Sequence, residues 1–292
     1  VRPKMLEHRA SIEKFSIAGR PPEPGDTWRQ PDLAETLQRI SDQGRKGFYE
    51  GETADLIVAE MVRSSGIISH ADLSGYRSVW REPVRGRYRG YDIWSMGPPS
   101  SGGVLLIQML NMLEDHDLSA SGWGSADTIH LMVEAERRAY ADRAEHLGDP
   151  DFYPVPVETL TDKAYAKARF ADMNPGKASD SNVIYPGTMP PDEGRETTHF
   201  SVMDKDGLMV SLTTTLNSSY GNKIVIPGTG MLMNNEMDDF SAKPNTENQF
   251  QLLGAEANAI GPHKRMLSSM TPTLVTRDGE PVLITGSPGG ST

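Results

Sequence analysis

A threonine that ends a polar stretch and opens a β-prone one can cut its own chain, and Glu196-Thr197-Thr198-His199-Phe200 is such a junction. The Thr197 hydroxyl can attack the Glu196 carbonyl and move the acyl group from nitrogen to oxygen. Hydrolysis of that ester releases a new N-terminus at Thr197. The freed residue then carries its own base, because an α-amino group titrates near pH ~8 and is partly neutral at physiological pH. By residue type alone, the same pentapeptide also reads as an ordinary strand of Thr and Phe. Further downstream, Thr213-Thr214-Thr215 is strand-like, Glu236-Met237-Asp238-Asp239 is an acidic turn, and Ser268-Ser269 is a pair of the kind found at caps and turns. Gly289-Gly290 would let two backbone amides approach an oxyanion without Cβ obstruction, or would form a flexible Gly-Ser tail. The run around it lacks the lysine of a phosphate-binding loop, and it supplies no G-x-S-x-G elbow. The histidines at 8, 70, 116, 130, 146, 199 and 263 show no metal-ligand spacing, so neither a metal nor a cofactor is expected.

The elements that must position these residues change character along the chain. Over 32–43, Leu33, Leu37 and Ile40 recur at helical spacing, and Gly44 supplies a stop. A second helix is expected over 53–63. The stretch 81–96 alternates like strands, with Arg85-Gly86 and Arg89-Gly90 as turn or bulge points. Residues 104–113 are apolar on nearly every side and predict a buried helix. Residues 127–147 predict an amphipathic one, with Ile129, Met132, Val133, Tyr140, Ala144 and Leu147 inward and Glu134 four residues before Arg138. Residues 174–196 are rich in Pro, Gly, Ser and Asp and form the natural exposed linker for a cleavage site. Beyond it, Asp204-Lys205-Asp206-Gly207 and Arg277-Asp278-Gly279 are hairpin turns between strand runs. Helices followed by hairpins indicate an α+β arrangement.

Composition bounds the partners. At 292 residues the chain can bury one large or two small cores, and a net charge of −11 argues against nucleic acid or anionic lipid. With no cysteine, neither disulfides nor thiolate metal sites can form within these residues. No apolar run reaches the ~18 residues of a membrane-spanning helix.

The blocks TTHFSVMDKDGLMVSLTTTLNSSYG, GMLMNNEMDDFS, GPHKRMLSSMTPTLV and LITGSPGGST, in this order, closely resemble the small subunit of the γ-glutamyltranspeptidases. Earlier, GDTWRQPDLAETL, REPVRGRYRGYDIWSM, PPSSGGVLLIQMLN and EAERRAYADR resemble that family's large subunit. The resemblance implies the four-layer αββα sandwich of the N-terminal nucleophile hydrolases. Residues 1–196, including the linker 174–196, then correspond to the C-terminal part of the large subunit, and 197–292 to the N-terminal part of the small one. Both ends of the family's chain are expected to lie outside these residues, among them an early arginine that pairs with the substrate carboxylate. Arg81 falls in another matched block and is not carried to that role.

The resemblance assigns roles residue by residue. Thr197 is the nucleophile, Glu196-Thr197 the cleavage site, and Thr215 the second threonine that orients it. Gly289 and Gly290 form the oxyanion hole. Asn217, Glu236 and Asp239 hold the substrate α-ammonium, and Ser268 and Ser269 the α-carboxylate. Phe250, in the loop 244–255, is the aromatic gate of a lid. His199 is a structural neighbour of the nucleophile, since the α-amine already fills the role of base.

The expected function is hydrolysis and transfer of γ-glutamyl groups from glutathione and related donors through a covalent γ-glutamyl-threonine ester. Water, amino acids or peptides act as acceptors, and the two subunits remain together as a heterodimer. The same resemblance implies a periplasmic or extracellular setting. Two alternatives are a glutaryl-type β-lactam side-chain acylase of the same superfamily and a non-catalytic, unprocessed fragment. The 292 residues alone are expected to be inactive.

Overall fold

A computed structural model of the chain describes residues 5–185, 197–243, 248 and 254–288. It resolves into two units, one made of residues 1–80 with 216–235 and the other of 81–215 with 236–292. These units do not coincide with the two subunits implied by the resemblance, because each draws on residues from both sides of Glu196-Thr197.

In the first unit, Pro31 opens helix α1 (Pro31–Gln43), where its missing N–H costs nothing, and Gly44 at φ 57° ends it. The inward position is not Leu37, which is 57% exposed, but Thr36, whose hydroxyl donates to the Thr229 carbonyl at 3.0 Å. Helix α2 (Gly51–Ser64) buries Ala54 and Ile57 against Leu73 and Ile226. Ser11 ties the 216–235 segment to the same core, donating to the Lys223 carbonyl and accepting from the Val225 N–H.

The second unit is built on a four-stranded antiparallel sheet. Strands β1 (Val84–Tyr88) and β2 (Tyr91–Ser95) turn at Arg89-Gly90, where φ is positive at both residues. Gly86 is not a turn: it lies inside β1, and a Cβ there would meet Ile107 at 2.7 Å. That close approach admits helix α3 (Gly102–Leu113), which packs on β1 and β2 and is buried at most positions, as its continuous apolar run predicts. Helix α4 (Ala126–His146) differs from expectation. Ile129 and Met132 are exposed, and the buried stripe is Glu134, Ala135, Arg138, Ala139 and Asp142. Here paired charges fill the interior. Arg138 donates to Glu134 at 2.8 Å and to Asp172 at 2.6 Å. Ser179, in the linker, donates to Glu134 from both its N–H and its hydroxyl. Helix α5 (Lys163–Phe170) closes this layer against α3 and α4.

After the linker, β3 (Thr197–Met203) and β4 (Met209–Thr215) form the expected hairpin around Asp204–Gly207. Strands β5 (Thr273–Arg277) and β6 (Glu280–Thr285) form the second hairpin and extend the first sheet in the order β1-β2-β5-β6. The β3–β4 pair lies against β6. Between the two hairpins the strand signal fails: among the described residues, 216–272 hold only isolated bridges and short 3₁₀ turns at Glu236–Asp239 and Glu256–Asn258. Gly, Pro and Asn punctuate that stretch too often for a ladder to run.

Candidate active site

The β3–β4 register sets the geometry of the candidate nucleophile. Thr197 stands directly opposite Thr215, and Thr198 and His199 face Thr214 and Thr213. Two threonines separated by seventeen residues in sequence thus become cross-strand backbone partners at the open end of a hairpin. His199 is held at both ring nitrogens, with Nδ1 2.9 Å from Thr213 Oγ1 and Nε2 3.0 Å from Ser201 Oγ. Its ring lies against Gly286, where a Cβ would come within 2.1 Å of Cε1. A ring so engaged acts as a strut between β3, β4 and Gly286.

Ser268 and Ser269 sit on a segment clamped to the N-terminal end of α3. Ser268 donates its N–H to the Pro99 carbonyl at 2.9 Å, and its own carbonyl accepts from the Ser101 N–H at 2.8 Å and from the Ser101 hydroxyl at 2.9 Å. Gly102 is required by this contact, since a Cβ there would fall 1.9 Å from Thr271 Oγ1 and 2.9 Å from the Ser269 carbonyl. Ser268 Oγ accepts from the Met270 N–H, and Ser269 Oγ accepts from Arg143 Nη2 at 3.2 Å.

Glu236 and Asp239 are on the short 3₁₀ turn, both half-buried. Burial pushes the Glu236 carboxyl up to about 7, because desolvation disfavours the charged form. The Asp239 carbonyl accepts from Asn258 Nδ2 at 2.7 Å, while Asn258 Oδ1 accepts from the Leu267 N–H at 2.9 Å. One buried amide therefore joins the acidic turn to the residue preceding Ser268-Ser269. Asn217 belongs to the other unit; at φ 73° it takes a left-handed conformation that Asn tolerates, and its side chain donates to the Asn235 carbonyl at 3.3 Å. A cleft of about 440 Å³ in that unit, lined by Lys14, Trp28, Asp32 and Pro227 among others, contains none of the candidate residues.

Glu196, Gly289, Gly290 and Phe250 lie outside the described residues, as does the Thr197 side chain. Arg81 pairs with Asp149 and Asp151. Three positioning residues were not singled out from the sequence: Arg143, Asn258 and Gly102. Arg143 and Gly102 fall inside blocks that carry the resemblance, but nothing in their residue type distinguishes them from their neighbours. Among the described residues, no three His, Asp or Glu side chains group as metal ligands.

Helices packed on antiparallel sheets make the chain α+β, and its likeness to solved γ-glutamyltranspeptidase and acylase structures places it in the N-terminal nucleophile hydrolase class. The Gamma-glutamyltranspeptidase family model matches residues 2–292, and the chain belongs to that family. It is 50% identical over 284 residues to the glutathione hydrolase proenzyme of Escherichia coli, covering 97% of this chain and 49% of that one. Among solved structures, Helicobacter pylori γ-glutamyltranspeptidase aligns at TM-score 0.62 and 47% identity over 64% of this chain and 54% of its own. Cephalosporin acylase from Bacillus halodurans aligns at TM-score 0.78 and 29% identity, over 94% of this chain and 47% of its own. The chain spans about half the length of the curated relatives it matches.

Proposed function

We propose that the protein transfers and hydrolyses γ-glutamyl groups, with glutathione among its donors, after cutting itself between Glu196 and Thr197. The observation that carries this reading is the cross-strand pairing of Thr197 with Thr215 in a member of this family. Once freed, the Thr197 amine takes the proton of its own hydroxyl, and the oxygen attacks the γ-glutamyl carbonyl. The Gly289-Gly290 amides stabilise the tetrahedral oxyanion, the amine product leaves, and a γ-glutamyl-threonine ester remains. Water, an amino acid or a peptide then accepts the glutamyl group. Asn217, Glu236 and Asp239 hold the α-ammonium, and Ser268 and Ser269 the α-carboxylate. Phe250 closes the loop over the pocket. The two chains stay together as a heterodimer, in a periplasmic or extracellular setting.

N-terminal sequencing of the smaller product of the natural full-length protein should begin Thr-Thr-His, and Thr197→Ala should leave one uncut chain without turnover of a γ-glutamyl anilide. A different N-terminus, or an active uncut variant, refutes the assignment of Thr197. A second reading, a glutaryl-type acylase, is favoured by the alignment with cephalosporin acylase over nearly the whole chain. A glutaryl anilide lacks the α-ammonium. Faster turnover of it than of the γ-glutamyl anilide would select the acylase and leave the acidic turn without a ligand.

A further inference from the structure

Arg143, on α4, is 4% exposed, and among the described residues it pairs with no carboxylate. A desolvated cation without a counter-ion is costly, so what its guanidinium faces is informative. It faces two serine hydroxyls. Nε donates to Ser101 Oγ at 3.1 Å, and Nη2 donates to Ser269 Oγ at 3.2 Å. Ser101 in turn donates its hydroxyl to the Ser268 carbonyl at 2.9 Å. One rigid fork thus grips the serine pair twice, once directly at Ser269 and once through Ser101. The Tyr140 ring lies beneath it, 5.9 Å from Cζ.

The direction of these bonds matters. Ser269 Oγ accepts from Arg143, so its own proton is left to point elsewhere, and among the described residues it donates to none. A hydroxyl that accepts from a cation is a stronger donor outward, and its partner of choice is an anion. Ser269 is half-buried and so remains reachable. We propose that Arg143 is a positioning residue for substrate: it aims the Ser269 hydroxyl at the donor's α-carboxylate and adds positive charge from behind the serine. This inference rests on the γ-glutamyl reading given above.

The test uses the natural full-length protein and a double-mutant cycle of Arg143→Met and Ser269→Ala. It is read with γ-glutamyl-p-nitroanilide and with 4-aminobutyryl-p-nitroanilide, which lacks the α-carboxylate. Arg143→Met is expected to raise KM for the γ-glutamyl substrate by about tenfold or more, with kcat changed much less and self-cleavage complete. In the Ser269→Ala background the same substitution should add little, and the substrate without a carboxylate should be nearly indifferent to it. Arg143→Lys keeps the charge but not the fork, and should fall between. Equal losses for both substrates, or full additivity with Ser269→Ala, overturn the proposal. If Arg143→Met fails to fold, Arg143→Lys and Ser101→Ala carry the same cycle with the same criteria. Failure of the unaltered protein to turn over the γ-glutamyl anilide would instead refute the functional reading itself.

Discussion

Replacing Asn258 with Ala should uncouple the two halves of the substrate grip. The Asn258 amide is 5% exposed, donates to the Asp239 carbonyl at 2.7 Å and accepts from the Leu267 N–H at 2.9 Å. Alanine removes both of these bonds. The two losses are unequal, because the bond to the Asp239 carbonyl is only part-buried, whereas the bond from the Leu267 N–H is buried, in a residue 3% exposed. An unmade bond at a buried donor costs roughly 1–3 kcal/mol, and loss of the exchangeable bond at Asp239 adds about 1 kcal/mol, so roughly 2–4 kcal/mol is expected. Urea unfolding of the full-length protein kept uncut by Thr197→Ala should show that loss as a lower midpoint with an unchanged slope. KM for a γ-glutamyl anilide should rise, since the acidic turn and the serine pair no longer share a strut. Asn258→Asp keeps the acceptor for Leu267 but loses the donor to Asp239, and should recover part of the stability. A cost below about 1 kcal/mol together with an unchanged KM would refute the argument that this amide ties the site together.

Other outcomes follow from single contacts. Gly286→Ala places a methyl into the His199 ring, so it should destabilise by roughly 1–3 kcal/mol and slow self-cleavage on a denaturing gel; a neutral variant would mean that the ring can move aside freely. Burial holds the Glu236 carboxyl up at about 7, so it is neutral below that pH and cannot attract an ammonium. KM should therefore climb as pH falls below 7, binding near pH 7 should release protons, and Glu236→Gln should remove the pH step; a flat profile in the unaltered protein would contradict this. Arg138→Met takes from buried Glu134 the cation that donates to it, leaving Arg137 at 3.5 Å and the two Ser179 donors, and should cost roughly 1.5–3 kcal/mol by denaturant unfolding of the uncut Thr197→Ala chain; a loss under about 0.5 kcal/mol would show that the remaining partners suffice.

The hairpins around Gly207 and Gly279 were legible because turn residues sit between alternating runs, and α3 because no face of it is polar. Helix α4 was misphased for a physical reason. A periodicity argument assumes that charges face water, and here Glu134 pairs with Arg138, while Asp142 is held by Gln108, Tyr165 and Arg169, all inside. Gly86 looked like a turn, since sequence does not distinguish a glycine needed for φ from one needed so that Ile107 can approach. The candidate site divides in the same way. Residues that would touch substrate stand in short polar motifs, while Arg143 and Asn258 act from behind, through long-range contacts that leave no local pattern.

The ladder between β2 and β5 pairs Asp92–Ser95 with Thr276–Thr273, so one sheet is woven from chain on both sides of Glu196-Thr197. A cut there would open no seam. The resulting pieces could separate only by unzipping the middle of a sheet and pulling Ser268 away from Pro99 and Ser101. Order of events follows: the sheet must be assembled while the chain is one molecule and its strands meet at the high effective concentration of a tether. After the cut, refolding becomes an encounter between two molecules, slow and dilution-sensitive where it had been neither. Self-cleavage would act as a ratchet on folding, fixing a correctly assembled sheet and leaving no unimolecular route back to it once lost.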